Sequence, residues 1–94
     1  MLFEWDPDKN AKNIKKHKIS FEVAATVFDD PLHLSVLDHK KHLEERWITI
    51  GYAVTEETVV VVHTYKELRG LEIIRIISAR HSTRREKTQY EERI

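Results

Sequence analysis

Periodic and alternating apolar positions divide the chain into helical and extended segments. Residues 21–28 carry apolar side chains at the i, i+3, i+4 and i+7 spacing of a helix that faces a core. Residues 44–54, 58–67 and 71–80 are instead rich in β-branched and aromatic residues, which is typical of strands. The polar segment between the first two strands favours a hairpin, and the turn at Arg69-Gly70 connects the second strand to the third.

Capping residues indicate where the two amino-terminal helices begin and end. Asp6 followed by Pro7 predicts a helix that runs to about His17. Ser20 predicts the start of the second helix, and the Asp29-Asp30-Pro31 sequence ends it. Turn chemistry is thus sufficient to explain these two adjacent carboxylates.

The carboxyl-terminal segment, from about Thr83 to Arg93, is predicted to be a third helix. Thr83 and Glu86 have the spacing of a capping box. Short strands at residues 2–5 and 34–37 complete the pattern. The order predicts one domain over residues 1–94 of the α+β class, with an antiparallel β-sheet, two N-terminal helices and a C-terminal helix.

The strand at residues 71–80 is the most apolar segment, yet it contains two arginines. A buried guanidinium is costly unless it is paired. Strict alternation places Arg75 on one face of the sheet, and Ser78 and Arg80 on the other. The two arginines share a face only if a bulge or the strand end turns one of them.

Composition narrows the class of protein. The chain has 40% apolar and 34% charged residues, zero formal net charge and no cysteine. These values predict a globular protein of a reducing cytoplasm, without thiol chemistry. We expect neither a signal peptide nor a membrane-spanning segment. Zero net charge argues against an ordinary basic nucleic-acid binder, although residues 9–18 hold five lysines and no acid, which predicts one cationic surface.

Four stretches together resemble a known family. They are FEWDPDKNAKNIKKHKISFEVA, FDDP, EERWITIG and IIRIISARHSTRREKTQYE. In combination they are similar to the BrnT family of bacterial type II toxins over nearly the whole chain. Lys18 departs from the pattern, since the family commonly has glycine there. If residue 18 adopts a left-handed conformation, the side chain costs about 1 kcal/mol.

The resemblance implies a RelE-like fold and a ribonuclease that arrests translation in the cytoplasm. It also implies a BrnA-like antitoxin with a ribbon-helix-helix DNA-binding part, in a dimer or heterotetramer. Operator DNA would be contacted only through that antitoxin. We expect no cofactor, no metal and no membrane partner.

Metal-free RNA cleavage needs a base, an acid and cations around the phosphate. Histidine exchanges protons near neutral pH, and arginine forks match phosphate oxygens. A hydroxyl can hold a substrate oxygen, and a carboxylate can act as the base. With the resemblance, this chemistry identifies the catalytic candidates His17, Lys16, Arg80, Ser78, Arg75 and Glu45. The RNA-binding candidates are Lys9, Asn13, Arg46 and Tyr90.

Structural roles compete with these assignments. Lys16 and His17 could simply complement the dipole of the first helix. Arg75 could pair with Glu45 or Glu72 across strands. Lys9, Asn13 and Lys16 form one polar stripe on the first helix, for which a solvated surface is the alternative to an RNA contact. Glu86 is expected to be a helix cap and not a catalyst.

Other functions fit the sequence less well. His39 and His42 are close in sequence but have no clear third ligand beyond Asp38, which disfavours a metal site. A non-catalytic module that binds nucleic acid or a partner through the same fold is the main alternative to an enzyme. A DNA-binding regulator ranks last, because no basic recognition helix is evident.

Overall fold

Five strands form one sheet with helices on both faces in the computed structural model, which describes residues 1–93. The strands are β1 (Leu2–Glu4), β2 (Leu34–Leu37), β3 (Trp47–Tyr52), β4 (Thr58–Leu68) and β5 (Leu71–His81). The helices are α1 (Pro7–His17), α2 (Phe21–Ala25) and α3 (Arg84–Glu91). The predicted α+β class, with two amino-terminal helices and one carboxyl-terminal helix, is confirmed.

The sheet has the strand order β1-β5-β4-β3-β2. Strands β2 to β5 form an antiparallel meander, as the sequence predicts. β1 instead pairs parallel with residues 73–75 of β5, which the sequence did not predict. Because β1 is short, the rest of that edge of β5 lacks a strand partner.

The two faces of the sheet have different coverings. On the α1–α2 face, helix residues such as Phe21 and Val27 pack with Val61 and Ile76 in the main hydrophobic core. On the opposite face, which we call the α3 face, α3 borders a cavity of about 290 Å³. The walls of that cavity include Leu34, Val36, Ile48, Ile50, Val60 and Tyr90.

The second helix is shorter than predicted and continues as a 3-10 turn over Thr26–Asp29. The Thr26 hydroxyl donates a hydrogen bond to the Val23 carbonyl at 2.6 Å and accepts one from the Val54 amide at 2.9 Å. A hydroxyl that binds a carboxyl-terminal helix carbonyl in this way competes with regular helical bonding. It also fastens the turn to the segment after β3.

Lys18 adopts the left-handed conformation, with φ of 63°, at the end of α1. Its amide donates a hydrogen bond to the Ile14 carbonyl at 2.9 Å. The chain therefore makes the left-handed corner with a lysine, at a conformational cost that glycine would avoid.

Gly51 lies where β3 passes under the 3-10 turn. A Cβ atom there would be 2.7 Å from Val27 Cγ1 and 3.1 Å from His33 Cβ. We expect Gly51→Ala to lower the free energy of unfolding by about 1–3 kcal/mol through overpacking, as measured by urea denaturation. Val27→Ala is itself destabilising because Val27 is buried in the core, but the double variant should lose less than the sum of the two single losses. Fully additive losses in the double variant would show that Val27 is not the obstacle.

Candidate functional site

A bulge in β5 brings three candidate residues to one face of the sheet. Val62 pairs with Ser78 and His63 pairs with Ile76, so Ile77 has no partner on β4. The extra residue shifts the alternation, and Arg75, Ser78 and Arg80 lie opposite Thr64, Val62 and Val60, respectively. These β4 residues are two apart and share the α3 face. The prediction from strict alternation, that Arg75 and Arg80 lie on opposite faces, is wrong.

The Arg80 guanidinium is held at the end of β5 by a two-pronged ion pair. Its Nη1 and Nη2 atoms donate to the two Glu86 carboxylate oxygens at 2.8 and 3.0 Å. Glu86 also accepts from the Thr83 amide, and the Thr83 hydroxyl accepts from the Glu86 amide, which completes the predicted capping box. Glu86 is therefore both a cap and the positioning partner of Arg80. The sequence predicted only the cap.

This ion pair predicts how stability depends on pH. The hydrogen bond from Arg80 lowers the pKa of Glu86 from 4.5 to about 2. Because the folded pKa is below the unfolded value, the stabilisation is complete above about pH 5 and is lost as the pH falls towards 2. We expect Glu86→Gln, which retains a capping side chain, to flatten this part of the pH–stability curve. Thermal melts from pH 2 to 7 measure it.

Glu91→Gln is the matched control for that experiment, because Glu91 lies on the same helix and is exposed. This variant should retain the acid dependence of the parent. An unchanged curve for Glu86→Gln would show that the pair contributes nothing to acid sensitivity.

The end of α1 lies beside the end of β5. β1 runs parallel to β5 and pairs with residues 73–75. Further along β5, Asn13 of α1 binds the backbone of Ala79. Since α1 thus advances in the direction of β5, its last turn, with exposed Lys16 and half-buried His17, lies near the strand end. Among residues 1–93, no hydrogen bond or ion pair links either side chain to Arg80.

Two of the predicted RNA-binding residues have structural contacts instead. Asn13 is buried, so the predicted exposed stripe consists only of Lys9 and Lys16. Tyr90 is also buried, and its hydroxyl donates to Asp30. Burial and this hydrogen bond raise the pKa of Tyr90 to about 12. Both side chains thus have structural contacts, and their roles in binding RNA stay predictions.

Arg75 is exposed and is not the buried structural cation that the sequence allowed. Its Nη1 atom lies 3.8 Å from the Glu4 carboxylate, and the side chain is 45% exposed. Arg75, Glu4 and Glu45 border one cavity of about 250 Å³. Of the two carboxylates, Glu4 is the one that contacts Arg75. The predicted pairing of Arg75 with Glu45 or Glu72 is therefore wrong.

Arg46 immediately precedes β3 and lies next to the Arg75 region. Trp47 follows it and borders a cavity on the α1–α2 face, so alternation directs Arg46 to the α3 face. Its Nη2 atom lies 3.7 Å from the Glu44 carboxylate, while its Nε atom is buried and has no hydrogen-bond partner. On the α3 face, Arg46 and Arg75 thus lie towards one end of the sheet, and Ser78 and Arg80 lie towards the other.

Sequence reasoning missed a buried histidine and an ion pair. His63 is buried in β4, and burial lowers its pKa. The only sequence signal for His63 was its position as a titratable residue directly after a run of valines. His81, at the end of β5, lies 3.1 Å from Glu57 in the connection between β3 and β4, a contact that no sequence spacing indicated.

Two kinds of site are not found in the described chain. Residues 1–93 contain no group of three or more histidine and carboxylate side chains arranged to hold a metal ion. His42 instead pairs with Asp38 at 3.1 Å. Over the same residues, no helix is both long and apolar enough to cross a membrane.

Comparisons with known proteins identify the family and agree with the fold. Residues 5–86 match the family model described as the ribonuclease toxin BrnT of type II toxin–antitoxin systems. The crystal structure of the Brucella abortus ribonuclease toxin BrnT superimposes with a TM-score of 0.59 and 21% sequence identity. That match covers 89% of this chain and 100% of the Brucella chain, and at this identity it supports the fold. A search of curated proteins gave no significant match.

Proposed function

Because the chain belongs to the BrnT family of ribonuclease toxins of type II toxin–antitoxin systems, we propose that it is an endoribonuclease whose RNA site lies at the end of β5. The observation that carries this placement is the bulge at Ile77, which moves Arg75 to the face that carries Ser78 and Arg80 and so places the arginines of β5 on one surface. Arg80 is oriented there by Glu86, and Asn13, one turn before Lys16 and His17 on α1, binds the backbone of the neighbouring Ala79.

Each group has a role in metal-independent cleavage. His17 removes the proton of a 2′-hydroxyl, and the 2′-oxygen attacks the adjacent phosphorus. The bond from phosphorus to the 5′-oxygen breaks, and the leaving oxygen takes a proton from an acid, for which Lys16 is our candidate. Arg80 stabilises the charge that develops on the phosphoryl oxygens, and Ser78 positions one of them. The products are a cyclic phosphate and a 5′-hydroxyl.

The second group of residues extends the RNA path. The β4 residues opposite Arg75 and Arg80 are four positions apart. At about 3.3 Å per residue, the two arginines lie about 13 Å apart along the sheet. Arg75 and Arg46 can therefore contact phosphates further along the same RNA strand. Lys9 offers another exposed cation on α1. Glu45 borders the Arg75 cavity and is the alternative general base.

The family implies an antitoxin partner, which we propose is BrnA-like and contacts operator DNA through a ribbon-helix-helix part. We further propose a dimer or heterotetramer with that antitoxin. Cleavage of RNA in the cytoplasm would inhibit translation and arrest growth until the antitoxin binds.

The enzyme is tested by incubating the purified protein with RNA in excess EDTA. We expect cleavage to continue, since the proposed base, acid and cations are all side chains. A loss of cleavage that magnesium restores would contradict the mechanism. Binding of RNA without cleavage, with or without metal, would favour the alternative of a non-catalytic binding module.

A further inference from the structure

A second cavity lies on the α1–α2 face, away from the proposed RNA site. It encloses about 270 Å³ at the end of the sheet where β1 begins. Aromatic side chains of Phe28, Trp47 and Tyr65 form much of its wall. Ser35, His33 and Glu72 provide polar atoms. No part of the proposed cleavage mechanism uses this cavity.

A chain of hydrogen bonds fixes which polar atoms the cavity presents. His63 Nδ1 lies 3.0 Å from the Thr64 carbonyl oxygen, so it must carry a proton and donate. His63 Nε2 is then the acceptor of the Thr49 hydroxyl proton, at 2.6 Å. Since that proton is committed, the Ser35 hydroxyl donates to Thr49 Oγ1, also at 2.6 Å. Ser35 is left with lone pairs and no proton for a ligand.

Two further side chains of the cavity, His33 and Glu72, also offer acceptor atoms. His33 Nδ1 lies 2.7 Å from the Asp30 carbonyl oxygen and therefore donates its proton there. In the neutral ring, His33 Nε2 then carries a lone pair. Glu72 Oε2 accepts from the Tyr65 hydroxyl at 3.0 Å, and its Oε1 atom is a further acceptor. The cavity thus combines aromatic walls, a carboxylate and acceptor atoms.

A guanidinium has the properties that such a cavity selects. It is planar, it has five donors and no acceptor, and it pairs with carboxylates and stacks on aromatic rings. A nucleobase carries acceptors that would face acceptors here. Glu67 lies directly opposite Glu72 on the neighbouring strand. The negative charges of both residues would also repel an RNA backbone. The volume is below that of typical drug-sized sites and suits one side chain.

We propose that this cavity binds an arginine side chain of a protein partner. That the partner is the antitoxin rests on the proposed function, whereas the guanidinium chemistry rests on the cavity alone. The toxin would then be held by an anchor at the other end of β5 from Ser78 and Arg80.

The test uses Nα-acetyl-arginine methylamide as the probe, titrated into the isotopically labelled full chain and followed by nuclear magnetic resonance. We expect saturable shifts at Ser35, Trp47 and Glu72, with millimolar affinity. The citrulline analogue, which has nearly the same shape but no charge, should bind at least about tenfold more weakly, because it cannot form the ion pair. Glu72→Gln should cause a similar loss.

Glu67→Gln is the matched control, because it removes an exposed charge directly opposite Glu72 and outside the cavity. It should weaken binding of the arginine probe much less than Glu72→Gln does. Equal binding of both analogues, equal effects of the two variants, or no binding would overturn the proposal. Tighter binding of guanosine than of the arginine probe would assign the cavity to a nucleobase instead. RNA cleavage is measured separately, so either proposal can fail without the other.

Discussion

Arg80→Ala is expected to abolish growth arrest when the protein is expressed without its antitoxin, and to lower RNA cleavage at least about 100-fold. Loss of one preorganised group that stabilises developing charge has an effect of this size. Arg80 is preorganised because Glu86 binds both of its terminal nitrogens. Colony counts after induction, and cleavage rates of the purified variant, measure the two effects.

The same substitution should have only a modest effect on stability. The Arg80 side chain is 43% exposed, and ion pairs that are exposed to this extent contribute little to folding. Arg80→Lys provides a second test, since it retains the charge but cannot pair with both Glu86 oxygens through two nitrogens and still donate to a phosphate from the remaining N–H groups. It should recover only part of the activity.

Arg85→Ala is the matched control, because Arg85 is an exposed arginine on the neighbouring helix. It should remain toxic. A fully toxic Arg80→Ala variant would remove Arg80 from the site. If Arg80→Lys were as active as the parent, a fork-shaped phosphate contact would be excluded.

Asn13→Ala is expected to lower the free energy of unfolding by about 2–4 kcal/mol, because it leaves buried backbone groups without partners. The Asn13 amide nitrogen donates to the carbonyls of Ile19 and Ala79 at 2.9 Å each. Its amide oxygen accepts from the Ala79 amide at 3.1 Å. The side chain thus satisfies the β5 edge beyond the end of β1. In a domain of this size, the melting temperature should fall by about 10 °C or more.

This effect opposes the intrinsic preference of the helix, since alanine is the better helix former. Lys12→Ala is the matched control, as Lys12 is exposed on the same helix, and its melting temperature should stay close to that of the parent. Normal stability of Asn13→Ala combined with weaker RNA binding would restore the interface role that the sequence suggested.

The elements of this protein follow from local sequence. The α1 and α3 caps at Asp6 and Thr83 bind the amides that their side chains predict, because capping involves only neighbouring residues. The strand positions likewise follow from β-branched runs. The family resemblance, carried by residue types at fixed positions, could also be recognised without coordinates and is confirmed by the match over residues 5–86.

The partners of each polar side chain required the tertiary structure. The sequence pattern placed Asn13 in a polar stripe on the first helix. In the structure its side chain makes hydrogen bonds with the edge of β5, 66 positions away, because β1 is too short to pair with that part of the strand. Tyr90 likewise meets Asp30 across 60 positions. Contacts at such separations depend on how elements pack, which local patterns do not encode.

The sequence by itself determined the α+β class, the helix caps and the residue types available for RNA chemistry, since these depend on local propensity and composition. Only the tertiary structure decided which of those residues share a face. Successive side chains of a strand point to opposite faces of the sheet. One unpaired residue, Ile77, therefore moves Arg75 to the face of Ser78 and Arg80. That shift results from pairing between β4 and β5, which alternation within β5 alone cannot reveal.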